Sequence, residues 1–228
     1  MENYLEIKNI YKSFGSQKVL RGISLNVGEG EFVSILGASG SGKTTILRII
    51  AGLEQPDSGT VTLAGRDITN LPPEKRQIGM IFQNYALFEH MTVEENIGYS
   101  LKLRRVPKKE IHNRVNSMLE TVGLPGINDR MPDMLSGGQR QRVAVARSLI
   151  AQPGVLLLDE PLSALDAALR RRMRGELREL QQSLGMTFVL ITHDEEEALT
   201  MSDRIALMDD GVFTDTGTPD EVKEKINL

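Results

Sequence analysis

The chain has 228 residues, enough for one large domain or two closely packed subdomains with a substantial core. Lys and Arg number 27 against 31 Asp and Glu, and the net charge of -4 offers no general attraction to nucleic acid or anionic lipid. There is no cysteine, which excludes disulfides, thiol catalysis and cysteine zinc sites; with no signal peptide and no apolar run of membrane-spanning length, the sequence fits the cytoplasm.

In chain order, Tyr4 to Ile10 and Ile23 to Val27 alternate apolar and polar residues, which predicts antiparallel strands joined through a turn around Gly15. Tyr11 and Phe14 are placed in that turn. In a chain so poor in aromatics either can serve as a flat platform for a base, and plain packing is the competing reading. Phe32 to Leu36 is wholly apolar apart from Ser34 and reads as a buried strand. Thr44 to Gly52 follows as a helix that stops at its glycine. Between them lies Gly37-Ala38-Ser39-Gly40-Ser41-Gly42-Lys43-Thr44, which matches the phosphate-binding loop pattern G-x-x-x-x-G-K-[ST] in its required strand–loop–helix setting. Its glycines let successive backbone N–H groups turn toward phosphate oxygens, and the helix start adds a favourable dipole. Lys43 suits the β- and γ-phosphates, the Thr44 hydroxyl suits Mg²⁺, and Thr45 adjoins them. A nucleoside triphosphate is the expected ligand.

Ser58 to Gly65 reads as a strand entering a hairpin, and Ile78 to Phe82 as a short strand ending at Gln83. From residue 83 to 152 the pattern turns helical: Thr92 to Glu95 has the form of a capping box, and Ile111, Val115, Met118, Leu119 and Val122 recur at helical spacing up to Gly123. A further helix is expected over Arg140 to Ala151, after Leu135-Ser136-Gly137-Gly138-Gln139. Val155 to Leu158 is short and apolar, as in a central parallel strand, and runs into Asp159-Glu160. A long helix is expected from about Ala167 to Leu184, its basic run Arg170-Arg171-Arg172 and Arg174 most simply forming a solvated face, with a partner contact as the alternative reading. Thr187 to Thr192 is a second buried strand, ending at His193-Asp194. Ile205 to Met208, a turn at Asp210-Gly211 and a short helix opened by Pro219 complete the pattern. The fold expected is an α/β phosphate-loop core over residues 1–82 and 153–228, with a mostly parallel sheet and an antiparallel β subdomain. A helical subdomain over 83–152 is inserted in it.

Several groups stand where they can meet the phosphates. Asp159, at the end of a buried strand, can hold Mg²⁺, and Glu160 can act as general base on a water; a solvated acidic turn is the alternative. His193 also follows a buried strand, with a purely structural histidine as the competing reading. Gln83 after its strand can orient water or Mg²⁺. His90 and His112 show no ligand spacing.

Taken together, the order of the phosphate loop, Gln83, L-S-G-G-Q, L-L-L-L-D-E, S-A-L-D and His193 resembles the nucleotide-binding subunits of ATP-binding cassette transporters over essentially the whole chain. The resemblance implies an ATPase using ATP and Mg²⁺. It gives adenine stacking to Phe14, a metal and water contact to Gln83, γ-phosphate sensing to His193 and a place beside the nucleotide to Asp166. It implies that Ser136, Gly137, Gly138 and Gln139 cover the γ-phosphate held by a second copy or paralogue, giving a two-fold dimer with two ATP molecules between the chains. Transmembrane permease subunits docking near Gln83 and an extracytoplasmic solute-binding protein would complete a complex on the cytoplasmic face of the membrane. F-Q-N-Y-A-L-F-E-H-M-T-V and T-H-D-E-E-E-A-L-T-M-S-D-R-I look like bacterial importers of polyamines and related solutes, although Glu195 stands where such relatives often carry Gln. Those importers usually continue into a C-terminal regulatory domain, which is not expected within a chain ending at Leu228. Exporters, and repair or translation ATPases of the same superfamily, are the rival readings; the latter are disfavoured by the acidic charge and the lack of long heptads. A catalytically dead regulatory module is the third.

Overall fold

The computed structural model describes residues 3–226. The chain opens with a hairpin of β1 (Asn3–Phe14) and β2 (Gln17–Gly28). Leu5 and Ile7 on one strand and Ile23, Leu25 and Val27 on the other are buried, the one-sided burial that alternation predicts, and irregular register past Ile7 brings Ile10 and Leu20 into the same core. Tyr11 and Phe14 belong to β1 and not to the turn: Tyr11 pairs with Arg21 and Phe14 with Gln17. Continued pairing past Ile10 outweighs the break in apolar alternation there.

β3 (Phe32–Leu36) leads through the phosphate loop into α1 (Lys43–Ala51), which ends at Gly52 in the left-handed conformation. β4 (Ser58–Leu63) and β5 (Arg66–Asp67) form the short hairpin, and β6 (Ile78–Ile81) stops before Phe82. The buried Arg76 donates to the carbonyls of Ile49 (2.6 Å) and Ile50 (2.9 Å), so a cation closes the far end of α1 where the helix dipole favours it.

The helical stretch contains α2 (Val93–Leu103), α3 (Lys108–Thr121) and α4 (Gly137–Leu149). Thr92 and Glu95 make the reciprocal capping box that opens α2. α4 starts three residues before the expected Arg140, because Ser136 and Gln139 form a second such box and satisfy the helix start despite two glycines. Then come β7 (Val155–Asp159), α5 (Ala167–Leu184), β8 (Thr187–Thr192), α6 (Glu195–Met201), β9 (Arg204–Asp209), β10 (Val212–Gly217) and α7 (Pro219–Ile226). Sequence periodicity does not reveal α6 or β10: one is two turns long and heavily acidic, the other half-exposed. The arginine run of α5 also departs from expectation. Arg170 and Arg174, four residues apart, share the face packed inward, where Arg174 is buried and holds Glu196 at 2.9 Å. Arg170 donates to the Leu165 carbonyl at 2.9 Å, and only Arg171 and Arg172 are exposed.

The six-stranded sheet has the order β10-β9-β3-β8-β7-β6, parallel throughout except for β10. The antiparallel sheet has the order β2-β1-β4-β5. Period-two alternation divides the core. Phe32, Leu156, Leu158, Phe188 and Leu190 face the helical subdomain and α5, whereas Val33, Ile35, Leu157, Val189 and Ile191 face α1 and the antiparallel sheet. Because β8 lies between β3 and β7, residues following these three strands emerge side by side at one sheet edge, the usual place for ligand-binding groups in an α/β sheet.

Candidate nucleotide site

The loop after β3 is shaped by close approach. A side chain at Gly37 would meet the Met208 carbonyl at 2.2 Å, and Gly42 has a φ of 107°, which strains any L side chain, with a Cβ there also crowding Leu20, Met208 and the Val19 carbonyl. Gly42 precedes α1 without any side-chain cap, and the first turn holds no acidic residue. The N–H groups at that helix start therefore lack side-chain acceptors and suit an external anion. Lys43 is almost fully buried, its Nζ bound to the carbonyls of Gly37 (2.7 Å) and Ala38 (2.8 Å). Burial lowers its pKa, while Glu160 and Asp159 work in the opposite direction. The buried Ser41 hydroxyl has no hydrogen-bond partner among the described residues. An uncapped helix start, a lysine held over the loop and an orphaned hydroxyl fit a phosphate chain.

A cavity of about 240 Å³ opens over the loop, with Ser39, Gly40, Lys43, Thr44, Thr45 and Glu160 in its wall. Its remaining wall includes Val19 of β2, a contact that sequence reasoning missed, since an aliphatic strand residue carries no motif. The volume is below the range of roughly 300–1,000 Å³ of closed ligand pockets, so it suits the phosphate end of a nucleotide with the base lying outside. Phe14 is about half exposed, on the same hairpin as Val19, with the Lys12 ammonium 5.1 Å from its ring centre.

Asp159 ends β7 and is partly buried. Burial, and secondarily the charge of Glu160, raise its pKa, with Arg48 and Lys43 opposing. Glu160 is held in the left-handed region (φ 44°), its N–H bound to the Ile191 carbonyl at 3.1 Å. That turn brings its carboxylate within 3.2 Å of His193 Nδ1. His193 is set by a tight local network. Thr192 Oγ1 donates to the buried Glu197 (2.7 Å) and accepts from the Asp194 N–H (3.0 Å), while Asp194 Oδ1 accepts from the Glu197 N–H (3.0 Å). Gln83 Nε2 donates to Ser163 Oγ (3.2 Å), which donates to the Glu160 carbonyl (2.9 Å). Gln83, Ser163, Glu160 and His193 thus form one connected set.

The remaining candidates lie apart from it. Ser136 and Gln139 spend their side-chain oxygens on each other's backbone N–H groups, leaving the Ser136 hydroxyl hydrogen and the Gln139 amide NH₂ for another partner. Asp166 caps α5 by accepting from the Leu169 N–H at 2.9 Å. Among the described residues no cluster of three or more His, Cys, Asp or Glu forms an all-protein metal centre. Thr44, Gln83 and Asp159 include one carboxylate and fit Mg²⁺, an ion commonly held by one or two carboxylates together with substrate phosphates.

These features define a Walker-type α/β nucleotide-binding protein with a mixed sheet and a helical subdomain. Comparison with known proteins narrows the class. Residues 20–163 match the sequence profile described as ABC transporter. The "Spermidine/putrescine import ATP-binding protein PotA" of Spiroplasma citri is 54% identical over 220 residues, 96% of this chain and 63% of that protein. Its namesake from Thermotoga maritima is 53% identical over 220 residues, covering 96% and 60% of the two chains. Among solved structures, cbiO1 from Clostridium perfringens, part of the ABC transporter complex cbiONQ, superposes with a TM-score of 0.90 at 29% identity, over 99% of this chain and 92% of that one. A dimeric ATP-binding cassette, MJ0796, in a post-hydrolysis state bound to ADP and Pi, gives a TM-score of 0.81 at 33% identity, over 94% and 98%. The chain belongs to the ABC transporter family, among its nucleotide-binding subunits. It spans about 60% of the length of the curated relatives it matches.

Proposed function

We propose that this chain binds and hydrolyses ATP to drive a transporter, working from the cytoplasmic face of the membrane through separate permease subunits. Among the described residues no helix is long and apolar enough to cross a membrane. The observation that carries the reading is the approach of Glu160 and His193 beside the phosphate loop (3.2 Å). Lys43 and the N–H groups at the start of α1 bind and orient the phosphates. Thr44, Asp159 and Gln83 are the residues that would hold Mg²⁺, which when bound supplies charge neutralisation. Glu160 takes the proton of the attacking water, and His193 holds the Glu160 carboxylate in place and donates toward the γ-phosphate. Phe14 supplies an exposed ring for adenine, and Asp166 fixes the start of α5.

The phosphate-loop cavity is too small and open to enclose a nucleotide, which favours a site completed by the Ser136-Gly137-Gly138 helix start of a second copy or paralogue. The dimeric neighbour of similar fold supports that arrangement. Similarity to polyamine import proteins makes import of a polyamine or related solute, delivered by an extracytoplasmic binding protein, the reading for the whole complex. No contact with nucleic acid is proposed. The test is Mg²⁺-dependent ATP hydrolysis by the purified chain, alone and with its permease in vesicles: no hydrolysis in either setting rejects the ATPase reading, and hydrolysis unaffected by polyamine-loaded binding protein rejects the solute.

A further inference from the structure

The segment following Gln83 is built in an unusual way. Tyr85 and Ala86 are consecutive non-glycine residues in the left-handed region, with φ of 59° and 47°. Each left-handed non-glycine residue disfavours its conformation by about tenfold, so two in succession persist only where the surroundings hold them. The holding group is Arg147, near the end of α4. Its Nη2 donates to the Tyr85 carbonyl (2.9 Å) and its Nη1 to the Ala86 carbonyl (2.8 Å), so one planar fork spans both strained peptides. The same guanidinium lies 5.3 Å from the centre of the Phe88 ring, which packs on Tyr99 of α2 at 4.8 Å. Asn96, fully buried, then pins the rest of the loop, accepting from the Phe88 N–H (2.8 Å) and donating to the carbonyls of Phe88 and Met91 (3.0 Å each).

We propose that Arg147 is a positioning residue that clamps the strained Tyr85-Ala86 turn to α4 and thereby sets the placement of Gln83 two residues before it. Ser136 caps one end of α4, and Arg147 stands eleven residues on, about 16 Å along the axis. A rigid helix with an anion-facing start and a two-pronged grip at its other end relays a displacement at Ser136 to Gln83 and its contact with Ser163. The relay rests on the ATPase reading, since it gives Ser136 and Gln83 their ligands; the clamp does not.

Two variants test it, with Lys in place of Arg to keep a partly buried cation while losing the planar fork. In the purified chain, Arg147→Lys should speed hydrogen exchange of the Tyr85 and Ala86 amides about tenfold, the penalty of one left-handed residue. Those amides donate to the Phe82 (2.8 Å) and Asn84 (2.6 Å) carbonyls in the clamped turn. Arg147→Lys should also lower kcat for Mg-ATP about three- to tenfold while KM stays within about twofold, because ground-state binding is untouched. Adding Ala86→Gly removes the left-handed penalty at one position and should restore most of both losses. Unchanged exchange in Arg147→Lys, or a double variant no better than the single one, overturns the proposal. A wild-type chain without hydrolysis counts against the ATPase reading, and the exchange results still decide the clamp.

Discussion

His193 Nδ1 stands 3.2 Å from Glu160 Oε2, although the two residues follow different strands and β7 and β8 must pair in register to bring them together. The pairing keeps the Glu160 carboxylate, largely buried, beside Lys43 and the phosphate loop. Glu160→Gln retains the shape and an oxygen for His193 but cannot take a proton. We predict normal ATP binding, hydrolysis slowed roughly 10²–10⁴-fold, and an ATP-dependent dimer that accumulates on size-exclusion chromatography. A variant that hydrolyses at the wild-type rate removes Glu160 as the base.

Ser136 both caps α4 and offers its hydroxyl outward, so its two roles need separating. Ser136→Asp preserves an oxygen for the Gln139 N–H and suits the helix start, but sets a negative charge against a partner's phosphate. Placed in the Glu160→Gln background, it should abolish the ATP-trapped dimer with no loss of thermal stability. A dimer that persists, read by light scattering, excludes the start of α4 from the interface.

Phe14→Ala should weaken ATP binding by roughly 1–3 kcal/mol, the loss of a base stack. The ring is half exposed, with the Lys12 ammonium 5.1 Å from its centre, so stability should hardly change. Calorimetry showing unchanged ATP affinity would move the base contact to Tyr11, which is equally exposed.

Asp159→Asn should raise the thermal stability of the nucleotide-free chain at pH 7 while abolishing Mg²⁺-dependent hydrolysis. The carboxyl is raised in the fold chiefly by burial, so the fold favours the protonated acid. Its contribution to stability is full below the unfolded pKa of about 3.9 and is lost as pH rises through the higher folded value. The advantage of Asn should therefore be largest at neutral pH and vanish as pH falls toward 4. Melting curves across that range check it, and a loss of stability at pH 7 would refute it.

Thr192→Val keeps the shape of the strand end but leaves the buried Glu197 carboxylate without its hydroxyl donor. A cost of roughly 1–3 kcal/mol in urea unfolding at pH 7 is expected. Burial already raises the Glu197 carboxyl, and the Thr192 hydroxyl lowers it, so the deficit should shrink as acid protonates the carboxylate. Hydrolysis should fall as well, because the same network sets the backbone at His193.

What the linear order of residues determined is local. The strand–loop–helix around Gly37 to Thr44, the Thr92 box, the apolar run into Asp159-Glu160 and the outline of α5 are written within a few residues of one another. Hydrophobic period and cap chemistry act over that range. Tertiary structure decided whatever joins distant segments. The turn at Glu160, its approach to His193, the Gln83–Ser163 contact and Val19 in the cavity wall depend on strand order and register. The same holds for Arg147, whose carbonyl partners lie more than sixty residues away, and for Arg174, whose burial depends on how α5 packs and not on its charge. A side chain's intrinsic preference is worth about 1 kcal/mol, less than the desolvation and packing terms that only the assembled fold supplies.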